Sequence, residues 1–196
     1  MRTLLAVAVL AACATPDLTY EKFELDADVY ILERESGYGS ACPVWVQDGR
    51  TWFATAKHVT TGSPLLSLRL PATGEEHTGV VIEWESEEHD LALVSVPVLG
   101  IPLFKISTRV PQLGERVYVA GYPMHKPLTI FEGIAHPGGR ATAQVGPGAS
   151  GGAILDQHGH LVGIVVRMEP IITVMGDQTR WGPVVQFEEV APLLRR

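Results

Sequence analysis

The sequence predicts an all-β protein built from two small antiparallel β-barrels. The chain of 196 residues contains 20 glycines and 14 prolines, well above the usual combined share of about 12%, and such frequent turn-forming residues suit many short strands. Apolar and polar residues alternate in several segments, as in the Leu-Ser-Leu-Arg-Leu of 66–70, which is typical of a half-buried strand. Before residue 187, no helical pattern longer than one turn separates these segments.

The first predicted barrel spans about residues 26–100. Its candidate strands cover 29–32, 43–47, 52–55, 65–70, 77–84 and 91–96. Between the second and third of them, Asp48-Gly49 predicts a tight hairpin, because this pair adopts the positive φ angles that two-residue turns require. The proline-containing segment 96–102 then interrupts the strand pattern and is predicted to cross to the second half.

The second predicted barrel spans about residues 104–186. Its candidate strands cover 116–120, 128–134, 141–145, 153–156, 161–166, 171–175 and 184–186. About six strands in each half predict two closed six-stranded barrels, since closure removes the exposed edges of a sheet. A short C-terminal helix is predicted over 187–194, where apolar residues recur at three- and four-residue spacing.

The charge and the composition exclude several classes of protein. Lysine and arginine total 15 against 22 aspartates and glutamates, which gives a formal net charge of −7. Because phosphate binding depends on clustered basic side chains, this balance argues against a nucleic-acid partner. Hydrophobic residues make up 46% and charged residues 19%, which excludes a disordered chain. Two cysteines are too few for a disulfide scaffold or a four-cysteine zinc site, and we expect no metal or cofactor.

The N-terminus has the pattern of an export signal. The apolar run 4–14 is too short to cross a bilayer, which needs about 20 residues, but it suits the apolar section of a signal peptide. It contains Leu-Ala-Ala-Cys at 10–13, which resembles the lipobox of bacterial lipoproteins. That resemblance implies a signal peptide over 1–12, acylation of Cys13, a tether over 13–25 and a membrane-anchored place in the cell envelope. An ordinary cleaved signal on a secreted or periplasmic soluble protein, or a short buried N-terminal segment, is the alternative.

Catalytic chemistry is predicted at Ser150, which lies between glycines in the segment 146–152. Glycines permit unusual dihedral angles, so adjacent N–H groups can converge on one point. Such convergence stabilises the oxyanion that forms during acyl transfer. His58 follows an apolar strand and Asp90 precedes another. Each feature alone is common as a turn or surface residue, whereas all three in the order His, Asp, Ser are much rarer by chance.

These segments resemble the motifs of the chymotrypsin-like (trypsin-like) serine peptidases, especially the compact bacterial branch that includes the HtrA-type proteases. The family's Thr-Ala-Ala-His appears as Thr-Ala-Lys-His at 55–58, and its Asp-Leu-Ala-Leu appears at 90–93. Its Gly-Asn-Ser-Gly-Gly appears at 148–152 with alanine in the second place. The similarity covers about 26–194, and it implies a peptidase domain over 26–196 with the chymotrypsin-like fold.

The resemblance also implies a role for each site residue. Ser150 would be the nucleophile of a serine endopeptidase that acts on protein or peptide substrates through an acyl-enzyme. His58 would be its general base, and Asp90 would orient the imidazole. The backbone N–H groups of Gly148 and Ser150 would form the oxyanion hole.

Two departures from the family pattern limit what it implies. Ala149 replaces the aspartate that pairs with a new N-terminus in zymogen-activated relatives, so activation of that kind is not expected. Val59 stands where disulfide-bearing relatives have a cysteine after the catalytic histidine, so Cys42 is expected to lack its usual partner.

The primary specificity pocket is expected, from the same similarity, to be lined by two short segments. Neither contains an acidic residue, so a preference for lysine or arginine is not supported. A small or apolar substrate side chain is expected first, and recognition of an acidic side chain by Arg167 is the alternative. The expected lining residues are Gln144, Val145, Gly146, Val166, Arg167 and Met168.

The sequence allows three alternatives to an active serine peptidase. The segment 148–152 also matches the nucleophile elbow of α/β-hydrolases, but the residues after the serine predict strand, turn, strand instead of the required helix. The His-Gly-His of 158–160 straddles a predicted turn and lacks a carboxylate cluster beyond Asp156, which favours a solvated turn over a metal site. A catalytically silent relative that serves as a binding or scaffold lipoprotein is the alternative to an active peptidase.

Overall fold

The computed structural model describes residues 25–143, 145–175, 178–191 and 193. The predicted signal peptide over 1–12, the predicted acylation site Cys13 and the pocket residue Gln144 lie outside the described residues, as does the predicted tether except for its last residue. No helix within the described ranges is both long and apolar enough to cross a bilayer.

The first half of the chain folds into an antiparallel sheet of seven strands. They are β1 (Tyr30–Arg34), β2 (Gly37–Gln47), β3 (Arg50–Thr55), β4 (Leu66–Leu70), β5 (Glu75–His77), β6 (Val81–Glu85) and β7 (Ala92–Pro97). In the sheet the strands lie in the order β5-β4-β1-β2-β3-β7-β6. A single helical turn, α1 (Lys57–Thr60), follows β3.

The structure refines the closed six-stranded barrel expected for this half. The predicted strand 77–84 is two strands, because the chain turns at Gly79, whose φ is +71°. The resulting strands β5 and β6 are the two edges of the sheet. Residues 78–80 therefore join one edge directly to the other, and the sheet forms a half-barrel whose edges are linked by chain and not by a hydrogen-bonded ladder.

The strand β2 changes its partner part of the way along. Its first residues, 37–41, pair with β1, whereas Cys42 and the residues that follow pair with β3. The predicted hairpin between β2 and β3 is confirmed, with positive φ at both Asp48 (51°) and Gly49 (71°), as a two-residue turn requires. The switch leaves one edge of 37–41 open toward the second half of the molecule.

The second half forms the closed six-stranded antiparallel barrel that the sequence predicts. Its strands lie in the order β10-β13-β12-β11-β8-β9 around the barrel. The predicted strands 161–166 and 171–175 are one long strand, and 184–186 is part of another. In chain order the strands are β8 (Arg116–Gly121), β9 (Thr129–His136), β10 (Arg140–Thr142), β11 (Ala153–Leu155), β12 (Leu161–Met175) and β13 (Gln178–Glu189).

The predicted C-terminal helix over 187–194 is corrected at its start. Strand β13 continues to Glu189, because the apolar Phe187 is buried in the barrel and pairs with Val165 of β12. A single 3-10 turn follows, in which the N–H of Leu193 donates to the carbonyl of Val190 at 2.9 Å. The small helix is therefore one turn long in the part of the chain that is described.

The two halves meet along a buried apolar contact, here called the seam. Because apolar burial contributes about 25 cal/mol per Å², this shared core holds the segments from the two halves against each other. Among the buried residues of the seam are Cys42, Ala54 and Leu93 from the first half and Tyr122, Leu155 and Ile164 from the second.

Candidate active site

The structure brings His58 and Asp90 together within the first half. His58 lies in α1, and Asp90 ends the loop that leads into β7. One carboxylate oxygen of Asp90 accepts the backbone N–H of His58 at 2.8 Å, and the other lies 2.7 Å from His58 Nδ1. Because a carboxylate only accepts hydrogen bonds, Nδ1 carries the proton. The second ring nitrogen, Nε2, is then the one that can accept a proton from a nucleophile.

The loop that carries Asp90 is held by its own short-range hydrogen bonds. The Ser86 hydroxyl accepts the backbone N–H groups of Glu88 (3.3 Å) and His89 (3.0 Å). The N–H of Ser86 donates to the carbonyl of Leu91 at 2.9 Å, and Lys57 Nζ donates to the carbonyl of Ser86 at 2.6 Å. The loop is thus tied to α1 at the residue next to His58.

Asp90 is ionised under ordinary conditions. Partial burial raises the pKa of its carboxyl, but the hydrogen bonds from the side chain and the backbone of His58 outweigh that effect. The net result is a pKa below the usual 3.8. A charged Asp90 is suited to orient the imidazole and to stabilise its protonated form.

Ser150 approaches this pair from the second half, across the seam. Its carbonyl accepts the N–H of Ser40 at 2.6 Å. A Cβ built on Gly39 would lie 2.7 Å from the side chain of Val59 and 2.8 Å from the carbonyl oxygen of Ser150, so the residue after His58 and the backbone of Ser150 lie against the same glycine. Among the described residues, no hydrogen bond joins Ser150 Oγ to His58, and such bonds are often long before a substrate binds.

The N–H of Gly148 is directed by the carbonyl on the other side of its peptide bond. The carbonyl of Pro147 accepts the N–H of Met124 at 2.6 Å and the hydroxyl of Tyr38 at 3.4 Å. In a trans peptide the N–H and C=O point in opposite directions. Holding the Pro147 carbonyl therefore turns the Gly148 N–H to the opposite side, where no described group accepts it.

The N–H of Ser150 is directed in the same way. The carbonyl of Ala149 accepts the N–H of Gly152 at 2.8 Å, which turns the Ser150 N–H away from that bond. No group within the described ranges accepts this N–H either. The two donors expected in the oxyanion hole are thus free, and an oxyanion hole needs such preorganised donors.

Glycine is required at position 148 for two reasons. Its φ is +94°, which lies in the region that L side chains rarely adopt. A Cβ at this position would also overlap the ring and the hydroxyl of Tyr38. Tyr38 can lie against the loop only because Gly148 has no side chain.

The residues expected in the specificity pocket differ in their exposure to solvent. Val145 and Gly146 are half-buried, and Gly146 lies beside Met124 at one end of a cavity of about 430 Å³. Val166 is buried in the core cluster of the first half, so its side chain stabilises the seam. Arg167 and Met168 are exposed. No carboxylate occurs among these described lining residues.

Sequence reasoning missed the residues that hold the nucleophile loop from outside it, which are Tyr38, Ser40 and Met124. The only local indication of these residues in the sequence is the Gly39-Ser40 pair near the start of β2. As expected, Cys42 is a free, buried thiol among the described residues, and the residue that lies against Val59 is Gly39. Cys42 lies deeper, where its thiol donates to the carbonyl of Gly151 at 3.5 Å. Burial raises the pKa of this thiol, so it stays protonated.

Three other histidines, His89, His158 and His160, lie in exposed or half-buried positions outside the His58–Asp90 pair. The N–H groups of His158 and His160 both donate to one carboxylate oxygen of Asp156, at 2.8 and 3.0 Å, as in a solvated turn. His89 Nδ1 lies 3.1 Å from Glu188 on the second barrel. Among the described residues there is no group of three or more potential ligands that could hold a metal ion.

Solved structures with the same fold are proteases or related proteins of low sequence identity. The serine endoprotease from Yersinia pestis is 20% identical, with a TM-score of 0.68 over 87% of this chain and 61% of that one. The HtrA-type protease AlgW, solved with a tripeptide, is 23% identical, with a TM-score of 0.63 over 83% of this chain and 57% of that one. This chain therefore spans less than two thirds of either protein in those structures.

A third structure covers a similar length to this chain. It is the M. tuberculosis protein Rv3671c, solved as an inactive mutant, at 20% identity and a TM-score of 0.62 over 85% of this chain and 84% of that one. No curated protein is significantly similar in sequence. The family model described as a trypsin-like peptidase domain matches residues 39–164, which include the half-barrel from within β2 onward and all three motif residues. By this match, the chain belongs to the trypsin-like peptidase family.

Proposed function

We propose that the protein is a serine endopeptidase that hydrolyses peptide bonds with His58, Asp90 and Ser150. The observation that carries this proposal is the pair of free N–H groups at Gly148 and Ser150, with the Ser150 backbone lying beside the residue that follows the Asp90-bonded His58. Free, directed N–H groups next to a nucleophile are what acyl transfer requires. The family membership supports the same reaction class.

Acylation follows from the roles of these groups. Ser150 Oγ attacks the carbonyl carbon of the substrate peptide bond, and His58 Nε2 takes the hydroxyl proton as the new C–O bond forms. The negative charge that develops on the carbonyl oxygen is stabilised by the N–H groups of Gly148 and Ser150. When the C–N bond breaks, His58 gives its proton to the leaving amine, and an acyl-enzyme remains.

Deacylation repeats these steps with water as the nucleophile. His58 takes a proton from water, the resulting tetrahedral intermediate uses the same two N–H groups, and the proton returns to Ser150 Oγ as the ester bond breaks. Asp90 stays ionised throughout and stabilises the imidazolium. Each N–H donor of this kind contributes roughly 3–4 kcal/mol to transition-state stabilisation.

The proposed substrates are proteins or peptides with a small or apolar side chain at the primary position. Val145 and Gly146 provide an apolar surface, and no described lining residue carries a carboxylate that could attract lysine or arginine. In the alternative, the enzyme prefers an acidic substrate side chain at the primary position, and the exposed Arg167 recognises it. Cleavage of a peptide library, read by mass spectrometry, distinguishes the two preferences.

We further propose that the protein is exported and held in the cell envelope by acylation of Cys13. This proposal depends on the Leu-Ala-Ala-Cys of 10–13, since stable anchoring takes more than one acyl chain. Mass analysis of the protein from the membrane fraction is expected to find lipid on Cys13. An unmodified mature chain that begins elsewhere would point to a secreted or periplasmic soluble protein.

The proposed reaction is tested with a fluorophosphonate probe, which reacts with activated serines. The folded protein is expected to be labelled at Ser150, and Ser150→Ala is expected to abolish both labelling and cleavage of the peptide library. Ser107→Ala, at another serine of the second half, is the control and should keep both. Folded protein without labelling would contradict the proposal and favour a catalytically silent binding module.

A further inference from the structure

We propose that the hydroxyl of Ser40 is a positioning group for the oxyanion hole, reaching it from the other half of the molecule. This inference rests on the proposed function, because it concerns how the same site is held in shape. Ser40 lies on β2, outside the three sequence motifs and on the opposite side of the seam from the nucleophile loop.

Every polar atom of Ser40 is used to hold a neighbouring segment. Its Oγ donates to the carbonyl of Gly148 at 2.9 Å and accepts the N–H of Tyr122 at 3.3 Å. Its N–H donates to the carbonyl of Ser150 at 2.6 Å, and its own carbonyl accepts the hydroxyl of Thr55 at 2.7 Å. The residue has no exposed surface, so water cannot replace any of these bonds.

The bond to Gly148 acts at the centre of the oxyanion hole. The Gly148 carbonyl belongs to the peptide unit between the two units that carry the donor N–H groups. Glycine 148 offers little resistance to rotation of its backbone, so the orientation of this middle unit depends on its two hydrogen bonds. Its N–H, that of Ala149, donates to the carbonyl of Gly146 within the loop at 3.1 Å, and its carbonyl accepts the hydroxyl of Ser40 from across the seam. Ser40 Oγ thereby helps to keep the two donors in a constant relation.

The bond from Tyr122 links the same hydroxyl to the segment that holds the preceding carbonyl of the loop, that of Pro147. Tyr122 precedes Met124, whose N–H binds the carbonyl of Pro147. A serine hydroxyl has one donor and acceptor lone pairs, so Ser40 can hold Gly148 and Tyr122 at the same time. Removing Oγ therefore takes away one bond to the middle peptide unit and one bond to the segment that leads to Met124.

The kinetic test compares Ser40→Ala with Ser95→Ala. Ser95 is also a fully buried serine of the first half, and its hydroxyl bonds to Arg50 and Glu83 away from the site. Misplacement of catalytic groups by about 1 Å costs up to roughly 100-fold in rate. Ser40→Ala is therefore expected to lower kcat by about 10- to 100-fold with KM within about threefold, whereas Ser95→Ala keeps kcat within about twofold.

A graded variant covers the case in which Ser40→Ala folds poorly. Ser40→Cys keeps a weak donor at the same place, and its kcat is expected to lie between those of the wild type and Ser40→Ala. Thermal unfolding of each variant ensures that kinetics are measured on folded protein. A folded Ser40→Ala with wild-type kcat, or an equal loss of kcat in Ser95→Ala, overturns the proposal.

Hydrogen exchange tests the same inference without any need for activity. The N–H of Gly152 is bonded within the loop, to the carbonyl of Ala149 (2.8 Å), and the N–H of Gly151 is bonded to the carbonyl of Val165 on β12 (2.7 Å). Exchange over 146–152 is expected to accelerate about tenfold in Ser40→Ala and to stay unchanged in Ser95→Ala. If wild-type protein shows no Ser150-dependent cleavage, the proposed function fails. If exchange over 146–152 is unchanged in Ser40→Ala, the positioning role fails by itself.

Discussion

The two halves of the molecule hold their site residues in different ways. In the half-barrel, His58 and Asp90 are neighbours in space that bond directly to each other, and the loop of Asp90 is fixed by Ser86 and Lys57 close to the pair. In the closed barrel, three carbonyls of the nucleophile loop, those of Pro147, Gly148 and Ser150, bond to partners outside it. Two of these partners are Ser40, across the seam, and Met124, from another loop.

This difference indicates which part of the site is locally determined. The His58–Asp90 pair depends on a few hydrogen bonds within one half, so changes elsewhere should leave its geometry intact. The oxyanion loop depends on how the halves meet, so changes at the seam should alter catalysis without touching a catalytic residue. Substitutions in each half, and the response of the folded protein to pH, test this contrast.

The largest effect is expected from Asp90→Asn. An asparagine at this position keeps the shape of the side chain but favours the wrong tautomer of His58, so kcat should fall by about 10⁴-fold. Steady-state kinetics with a cleavable peptide measure this loss. Glu88→Gln, an exposed substitution in the same loop, should leave kcat unchanged. A loss of only about tenfold in Asp90→Asn would mean that this carboxylate does not orient the histidine.

A smaller loss is expected from Gly148→Ala. The new Cβ overlaps Tyr38, and the residue must keep φ near +94°, so the loop moves and the donor N–H of residue 148 is lost from the site. Loss of one such donor costs roughly 100- to 1,000-fold in kcat. KM and kcat with the same peptide measure the effect.

A matched control for this change is Gly138→Ala. Gly138 has φ +74° but nothing within 4 Å of an added Cβ, so it carries the same backbone strain without a clash. Its kcat should stay near that of the wild type. Equal losses of kcat in the two variants would show that strain in the second barrel, and not the position of the oxyanion loop, limits the reaction.

The smallest effect concerns stability as a function of pH. Because the folded pKa of Asp90 lies below its usual 3.8, the ionised group stabilises the folded state above that usual value. This contribution is lost as the pH falls through the lower, folded pKa. Urea unfolding of the wild type and of Asp90→Asn from pH 7 to pH 2 should show a difference in unfolding free energy that shrinks below about pH 4. A difference that grows toward low pH contradicts the assigned direction of the pKa shift.

Local patterns were enough to predict much of the fold. The alternation in 66–70 and the Asp48-Gly49 turn depend only on neighbouring residues, and the structure confirms both. The start of the C-terminal helix could not be predicted in this way. Phe187 fits a helical spacing as well as a strand, and its pairing with Val165 decides for the strand. A helical spacing over so few residues does not distinguish a helix from a strand, so the tertiary contact determines the structure.

The three motifs, the family they resemble and the all-β class could be predicted from the amino-acid sequence. These depend on residue type and on spacing along one stretch of chain. Three contacts became visible in the folded molecule alone: Gly39 lies against Val59, Ser40 bonds to the Gly148 carbonyl, and Met124 bonds to the Pro147 carbonyl. Each of those contacts joins segments that are far apart in the chain. Their partners follow from strand register and from the way the two halves meet across the seam, and neither is encoded in any single stretch of residues.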